Sequence, residues 1–121
     1  MKNPIFVIQK HDATKLHYDL RLEKNGVLLS FALPKKPPQR KGIKRLAIPT
    51  EDHPLEYANF SGRIPEGFYG AGRVEIYDKG YYVPIEFGDD KIVLKLYGEK
   101  LKGKYCLIKL KDQKNYLFFK I

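Results

Sequence analysis

Tryptophan is absent from this chain, and cysteine and methionine each occur once. With Cys106 alone no internal disulfide can form, which excludes a cross-linked secreted scaffold. A structural zinc centre built on several thiolates is excluded for the same reason. Cys106 sits in the apolar run YCLIKL, where a thiol is expected to be buried and inert. Long apolar runs are missing too. Nothing approaches the roughly 20 residues of a membrane-spanning helix, and the opening MKNPIFVIQK has no signal-peptide core. The chain is therefore expected in the cytoplasm, with no membrane partner. Acidic residues are scarce relative to basic ones: 14 Asp and Glu against 23 Lys and Arg give a formal net charge of +9. That balance favours an anionic partner, most simply nucleic acid, through neutralised phosphates. The plainer alternative is a basic surface that only solvates the protein.

What is present is apolar and strand-like. At 43% hydrophobic, with nine Tyr and seven Phe, the composition is too apolar for a disordered chain. A length of 121 residues suits one domain, 1–121, with a modest core. Apolar residues seldom recur at the three- and four-residue spacing of a helix, whereas many short segments carry the period of a strand. The strand candidates are 5–10, 16–23, 27–33, 46–49, 72–78, 80–87, 91–101, 104–110 and 115–121. Asn25-Gly26 predicts a type I′ hairpin turn, because both positions need a positive φ. Further turns are expected at Asp78-Lys79-Gly80, Gly88-Asp89-Asp90, Gly98, Lys102-Gly103 and Asp112-Gln113. Regularly spaced short strands predict an all-β chain, a compact small β-barrel with little helix. Residues 50–71 offer no clear strand and are expected to form a structured functional loop.

The segment 16-LHYDLRLE-23 alternates throughout. Side chains two apart share a strand face, roughly 6.6–6.8 Å from one another. His17, Asp19 and Arg21 thus lie on one face, and Tyr18, Leu20 and Leu22 pack on the other. With His11 from the preceding segment, two imidazoles and a carboxylate can hold one divalent ion and leave positions for water and phosphate oxygens. Such ligands suit Mn²⁺, Zn²⁺ or Fe²⁺. The bland alternative is the solvent face of an edge strand. His53, before Pro54, is a candidate proton donor or phosphate contact, although a His-Pro turn is commonly structural. The stretch from Lys35 to Arg45 carries six cations and no acid. Usually that is a solvated face, but Arg45 borders a strand and its guanidinium can grip phosphate. The glycines of 65-PEGFYGAGR-73 belong to no Walker or Rossmann fingerprint, and a turn shaping the rim of a pocket is expected. Phe68, Tyr69, Tyr81 and Tyr82 are candidates for base stacking, with core packing the expectation for most of them.

Together, FVIQKHDATKLHYDLRLE, SFALPKKPP, RLAIPTEDHPLEYANFSGRIPEGFYGAG and the closing LIKL…YLFFKI strongly resemble the 3′-phosphoesterase domain of bacterial DNA ligase D, over practically the whole chain and in the same order. The resemblance implies a compact barrel with a polar concave active-site face. It implies a Mn²⁺-dependent enzyme, with Zn²⁺ or Co²⁺ as alternatives, that heals DNA or RNA-tipped DNA 3′ ends for non-homologous end joining. Such an enzyme removes a 3′-phosphate and trims 3′ ribonucleotides, leaving a 3′-OH for a separate ligase or polymerase. Position by position, His11, His17 and Asp19 match metal ligands. Arg21, Arg45 and His53 match residues that engage the scissile phosphate, with His53 also serving the leaving group. Tyr57 matches an active-site tyrosine and Lys35 a lysine for phosphomonoester removal. Gln9 and Glu51 match positions near the site, and Gln9 is carried as substrate-binding. Only MKNP precedes Ile5, where the ligase-fused domains have an extension that aids ribonucleotide trimming. Phosphate removal is accordingly expected to equal or exceed trimming.

Two other classes compete. A non-catalytic nucleic-acid-binding barrel of a repair complex accounts for charge and aromatics, but has no need of two histidines and an aspartate beside an arginine. A phosphoesterase for small metabolites is disfavoured by the basic loop.

Overall fold

A computed structural model describes residues 2–121. The strands are β1 (Ile5–Asp12), β2 (Leu16–Lys24), β3 (Val27–Leu33), β4 (Lys44–Pro54), β5 (Gly62–Ile64), β6 (Gly72–Phe87), β7 (Lys91–Tyr97), β8 (Lys102–Lys109) and β9 (Tyr116–Lys120), with one 3₁₀ helix at Leu55–Asn59. Neighbours run β1-β2-β3-β4-β9-β8-β7-β6, and β6 pairs back onto β1, so eight antiparallel strands close a barrel. Closure leaves no free sheet edge around the ring, and β5 adds only a short flap to β6.

Alternation fills the barrel. Phe6 and Ile8 of β1, Leu20 and Leu22 of β2, Leu94 and Leu96 of β7, Tyr105 and Leu107 of β8 and Phe118 of β9 form one buried cluster. Each such side chain contributes on the order of 1.5–3 kcal/mol on burial. A packed interior leaves the outer wall for chemistry. On that wall Val7, Leu28 and Ala58 form a second, smaller cluster, which seats the 3₁₀ helix over β1 and β3. Among the described residues no helix is long and apolar enough to cross a membrane.

Several local expectations hold. Asn25 and Gly26 have φ of 52° and 83°, as a type I′ turn requires. Cys106 is buried, and burial raises its thiol pKa.

Others do not. Residues 50–54 extend β4, residues 62–64 form β5, and residues 55–59 are helical rather than loop. The expected turn at Asp78-Lys79-Gly80 lies inside β6, which runs unbroken for 16 residues. Asp78 turns inward instead, and its carboxylate accepts the backbone N–H groups of Lys79, Glu99, Lys100 and Leu101. Gly80 is used for close approach, since a Cβ there would strike the Tyr97 carbonyl. The turn chemistry thus serves the passage of β6 from its pairing with β1 to its pairing with β7. The run 91–101 divides because Gly98 leads the chain around the Asp78 carboxylate.

Candidate metal centre and phosphate site

Register alone assembles the polar face. Across β1 and β2, His11 pairs with His17, Gln9 with Asp19 and Val7 with Arg21. Directly opposed residues point to the same side of a sheet, and here that side is the outer wall. The 3₁₀ helix and the 60–72 segment fold over it: the Tyr57 and Phe60 carbonyls accept from the Gln9 amide, and the Gly70 carbonyl meets His11.

The first cluster is His11, His17 and Asp19, whose ligating atoms all lie within 4.8 Å of one another. His11 Nδ1 is 3.6 Å and His17 Nε2 3.3 Å from the same Asp19 oxygen. The opposite nitrogens are both engaged by carbonyls, His11 Nε2 with Gly70 at 2.7 Å and His17 Nδ1 with Lys15 at 3.1 Å. A carbonyl only accepts, so each outer nitrogen carries its proton. On a neutral ring the inner nitrogen is then a lone pair open to a divalent ion, whereas a charged His17 donates from that nitrogen to the Asp19 carboxylate. Metal-bound histidines are oriented by such contacts, and the donor set fits a divalent ion that takes nitrogen and oxygen. Hydrogen bonding to Asp19 raises the His17 pKa against the effect of burial. Burial pushes the Asp19 carboxyl up, but its bond to His17 and the charges of Arg21 and the two imidazoles outweigh this and hold it low.

Arg21 joins this cluster to a second. Its Nη2 lies 3.4 Å from Asp19, its Nε donates to Gln9 Oε1 at 2.7 Å, and its Nη1 donates to Ser30 at 2.8 Å and lies 3.1 Å from His53 Nδ1. Its guanidinium lies 4.9 Å from the Tyr57 ring centroid, and His53 leans on the same ring at 4.8 Å. Burial lowers the Arg21 pKa while Asp19 and Tyr57 oppose the shift. The Tyr57 hydroxyl is pushed up by burial against the pull of Arg21. His53 reaches this face because β4 is bulged: Leu28 and Ser30 on β3 oppose His53 and Thr50 on β4, two steps against three. The extra residue turns His53 outward, which a regular ladder would not do.

The structure thus brings together His11, His17, Asp19, Arg21, His53, Tyr57 and Gln9. Gln9 is 0% exposed, with its carbonyl on Arg21 and its amide on two backbone carbonyls, so both polar atoms of its side chain are engaged within the chain. Glu51 touches His53 through its backbone carbonyl at 3.1 Å. Lys35 and Arg45 line a recess of about 240 Å³ with Pro34, Lys44 and Leu46. There Arg45 Nε donates to the Lys36 carbonyl, and Arg45 pairs with Phe118 on β9. A more open recess of about 630 Å³ beside Arg63 and Arg73 contains none of these residues. Sequence reasoning missed Ser30, although a lone hydroxyl in VLLSFAL was a visible signal. It also missed the carbonyls of Lys15 and Gly70, which no residue type announces.

Residues 9–109 match the family model described as the DNA Ligase D 3′-phosphoesterase domain. The chain is 49% identical to the multifunctional non-homologous end joining protein LigD of Mycolicibacterium smegmatis, over 93% of this chain and 18% of that protein. It is 51% identical to the protein of the same name from Mycobacterium bovis, over 86% of this chain and 14% of the relative. For the Pseudomonas aeruginosa protein the values are 49%, 86% and 13%. The chain therefore spans less than a fifth of the length of these relatives. It belongs to the DNA ligase D 3′-phosphoesterase domain family.

Proposed function

We propose that residues 1–121 act as one metal-dependent phosphoesterase domain. It removes the phosphate from 3′-phosphorylated DNA ends, and 3′ ribonucleotides from RNA-tipped ends, leaving a 3′-OH in the cytoplasm for a separate ligase or polymerase. One observation carries this reading. Two histidines, their outer nitrogens held by carbonyls, converge on Asp19 beside a buried arginine and a third histidine.

His11, His17 and Asp19 would hold the ion, with Mn²⁺ the expected metal. Bound there, a divalent ion supplies Lewis acidity and charge neutralisation for the phosphate. The chain supplies the rest. Arg21, fixed by Gln9 and Ser30, sets a permanent positive charge beside the cluster, where phosphate charge grows during transfer. His53 makes both of its contacts through Nδ1. In the charged ring Nδ1–H donates to the Glu51 carbonyl and the Nε2 proton is available to the departing oxygen, which leaves a neutral imidazole. Arg45 and Lys35, which line one recess, supply further cations, Arg45 for the scissile phosphate and Lys35 for removal of the phosphomonoester.

The test is incubation of 3′-phosphate and 3′-ribonucleotide primer-templates with and without Mn²⁺, scoring 3′-OH formation by subsequent ligation. Metal-dependent 3′-OH formation that is lost in His17→Ala supports the reading. Tight DNA binding without turnover under any divalent ion would overturn it in favour of a non-catalytic binding barrel.

A further inference from the structure

The 65–71 segment places two large aromatic side chains where no packing role accounts for them. Phe68 is 67% and Tyr69 95% exposed. The expectation that the chain's candidate stacking aromatics mostly pack in the core holds for Tyr82 and fails here. These rings occupy a defined tip. Phe68 N donates to the Pro65 carbonyl at 3.3 Å and Ala71 N to the Phe68 carbonyl at 3.1 Å, closing two successive turns. Gly70 and Gly72 hold φ of 76° and 137°. A Cβ on Gly72 would strike the Asp12 carbonyl, so the glycine allows the tip to be pressed against the end of β1. The residue after Tyr69 is Gly70, whose carbonyl holds His11 Nε2 at 2.7 Å. Tyr69 is thus anchored one Cα step, about 3.8 Å, from the residue that orients a candidate metal ligand.

We propose that Tyr69, flanked by Phe68, is the stacking platform for the base of the 3′-terminal nucleotide whose phosphate is held at the His11–His17–Asp19 cluster. The proposal rests on the phosphoesterase reading and adds to it how the end is gripped. Its occupant is a nucleobase. The site beside the tip is built for a phosphate and the chain carries a net charge of +9, so a nucleotide held at the cluster brings its base to the rim. Aromatic faces accept any base, which suits an enzyme that must heal ends of arbitrary sequence. The other exposed aromatic pair, Tyr81 and Tyr97, cannot share this nucleotide. Tyr81 pairs with Ile5, six residues from His11 along β1, which is about 20 Å at strand rise.

The experiment uses 3′-phosphorylated oligonucleotides that end in 2-aminopurine or in an abasic sugar. Fluorescence quenching on binding is read in EDTA, and turnover is read with Mn²⁺. For Tyr69→Ala we expect the quench to be lost and KM to rise about tenfold on the base-bearing end, with kcat within about twofold and the abasic end unaffected. Tyr69→Trp should restore both. Tyr69 is solvent-exposed, and an unchanged melting midpoint checks the fold of both variants. Equal effects on base-bearing and abasic ends, or no effect on either, overturn the proposal while leaving the phosphoesterase reading intact. Tyr69-dependent quenching with no turnover of any end keeps the platform and sinks the phosphoesterase reading.

Discussion

Leu28 and His53 face each other across β3 and β4, yet Ser30, two residues further along β3, faces Thr50, three residues back along β4. That single unmatched residue brings His53 onto the wall that holds Arg21. His53 then has a local function that a substitution can isolate. His53→Ala should slow 3′-phosphate release about 10²- to 10⁴-fold, with Mn²⁺ affinity preserved, because no cluster ligand touches the ring. Single-turnover rates and a metal titration check both halves. A His53→Ala enzyme with unimpaired turnover would remove this residue from the chemistry.

The barrel and the His17–Asp19–Arg21 face were legible because both depend on period-two alternation. Residues 16–23 give the inward and outward sets without reference to any other strand. His11 was legible as a candidate only, since its place opposite His17 depends on the β1–β2 register. The extension of β4 and its bulge were not legible: EDHP reads as turn chemistry, and pairing with β3 makes it strand. The same holds for Asp78-Lys79-Gly80, whose turn residues serve a long strand that changes partners. Carbonyl contacts to His11 and His17 leave no trace in residue type. Lys35 and Arg45 were picked out by charge and resemblance, and both line one recess with Pro34, Lys44 and Leu46.

Asp78 carries a structural load that its sequence context conceals. It is buried, and its carboxylate accepts four backbone N–H groups, three of them from the 99–101 turn. Asp78→Ala leaves those donors unmatched and should cost at least about 3 kcal/mol, read as a lower urea midpoint. Asp78→Asn, retaining an acceptor, should lose less. Similar stability for wild type and both variants would show that solvent replaces the carboxylate.

Alkaline stability should follow two core tyrosines. Tyr82 donates to the Glu23 carbonyl and Tyr105 to the Pro38 carbonyl, and burial pushes both hydroxyls up to about 12. With folded values above the ordinary value of 10.0, the native state holds its protons more tightly than the unfolded chain. Their contribution is complete below pH 10 and declines as pH rises through 12. Denaturation midpoints measured between pH 9 and 12 should fall across that window in wild type. The fall should be shallower in Tyr82→Phe, which has no proton to lose there.

Gln9 offers the sharpest separation of framework from substrate contact. Its side-chain oxygen accepts from Arg21 Nε at 2.7 Å, while its nitrogen donates to the Tyr57 and Phe60 carbonyls at 2.7 and 3.2 Å. The three bonds tie the guanidinium to the segment that covers it. Gln9→Glu keeps an acceptor for Arg21 but turns a carboxylate oxygen toward two carbonyls, and Gln9→Ala leaves Arg21 Nε unmatched in a buried site. Each change should destabilise the fold by roughly 1–3 kcal/mol and lower kcat through a displaced Arg21, with KM for a 3′-phosphate end little altered. A residue that gripped substrate directly would behave otherwise, with KM rising and the melting midpoint unmoved. Parallel melting and steady-state measurements on the two variants decide between these outcomes, and a pure KM effect would return Gln9 to the substrate surface.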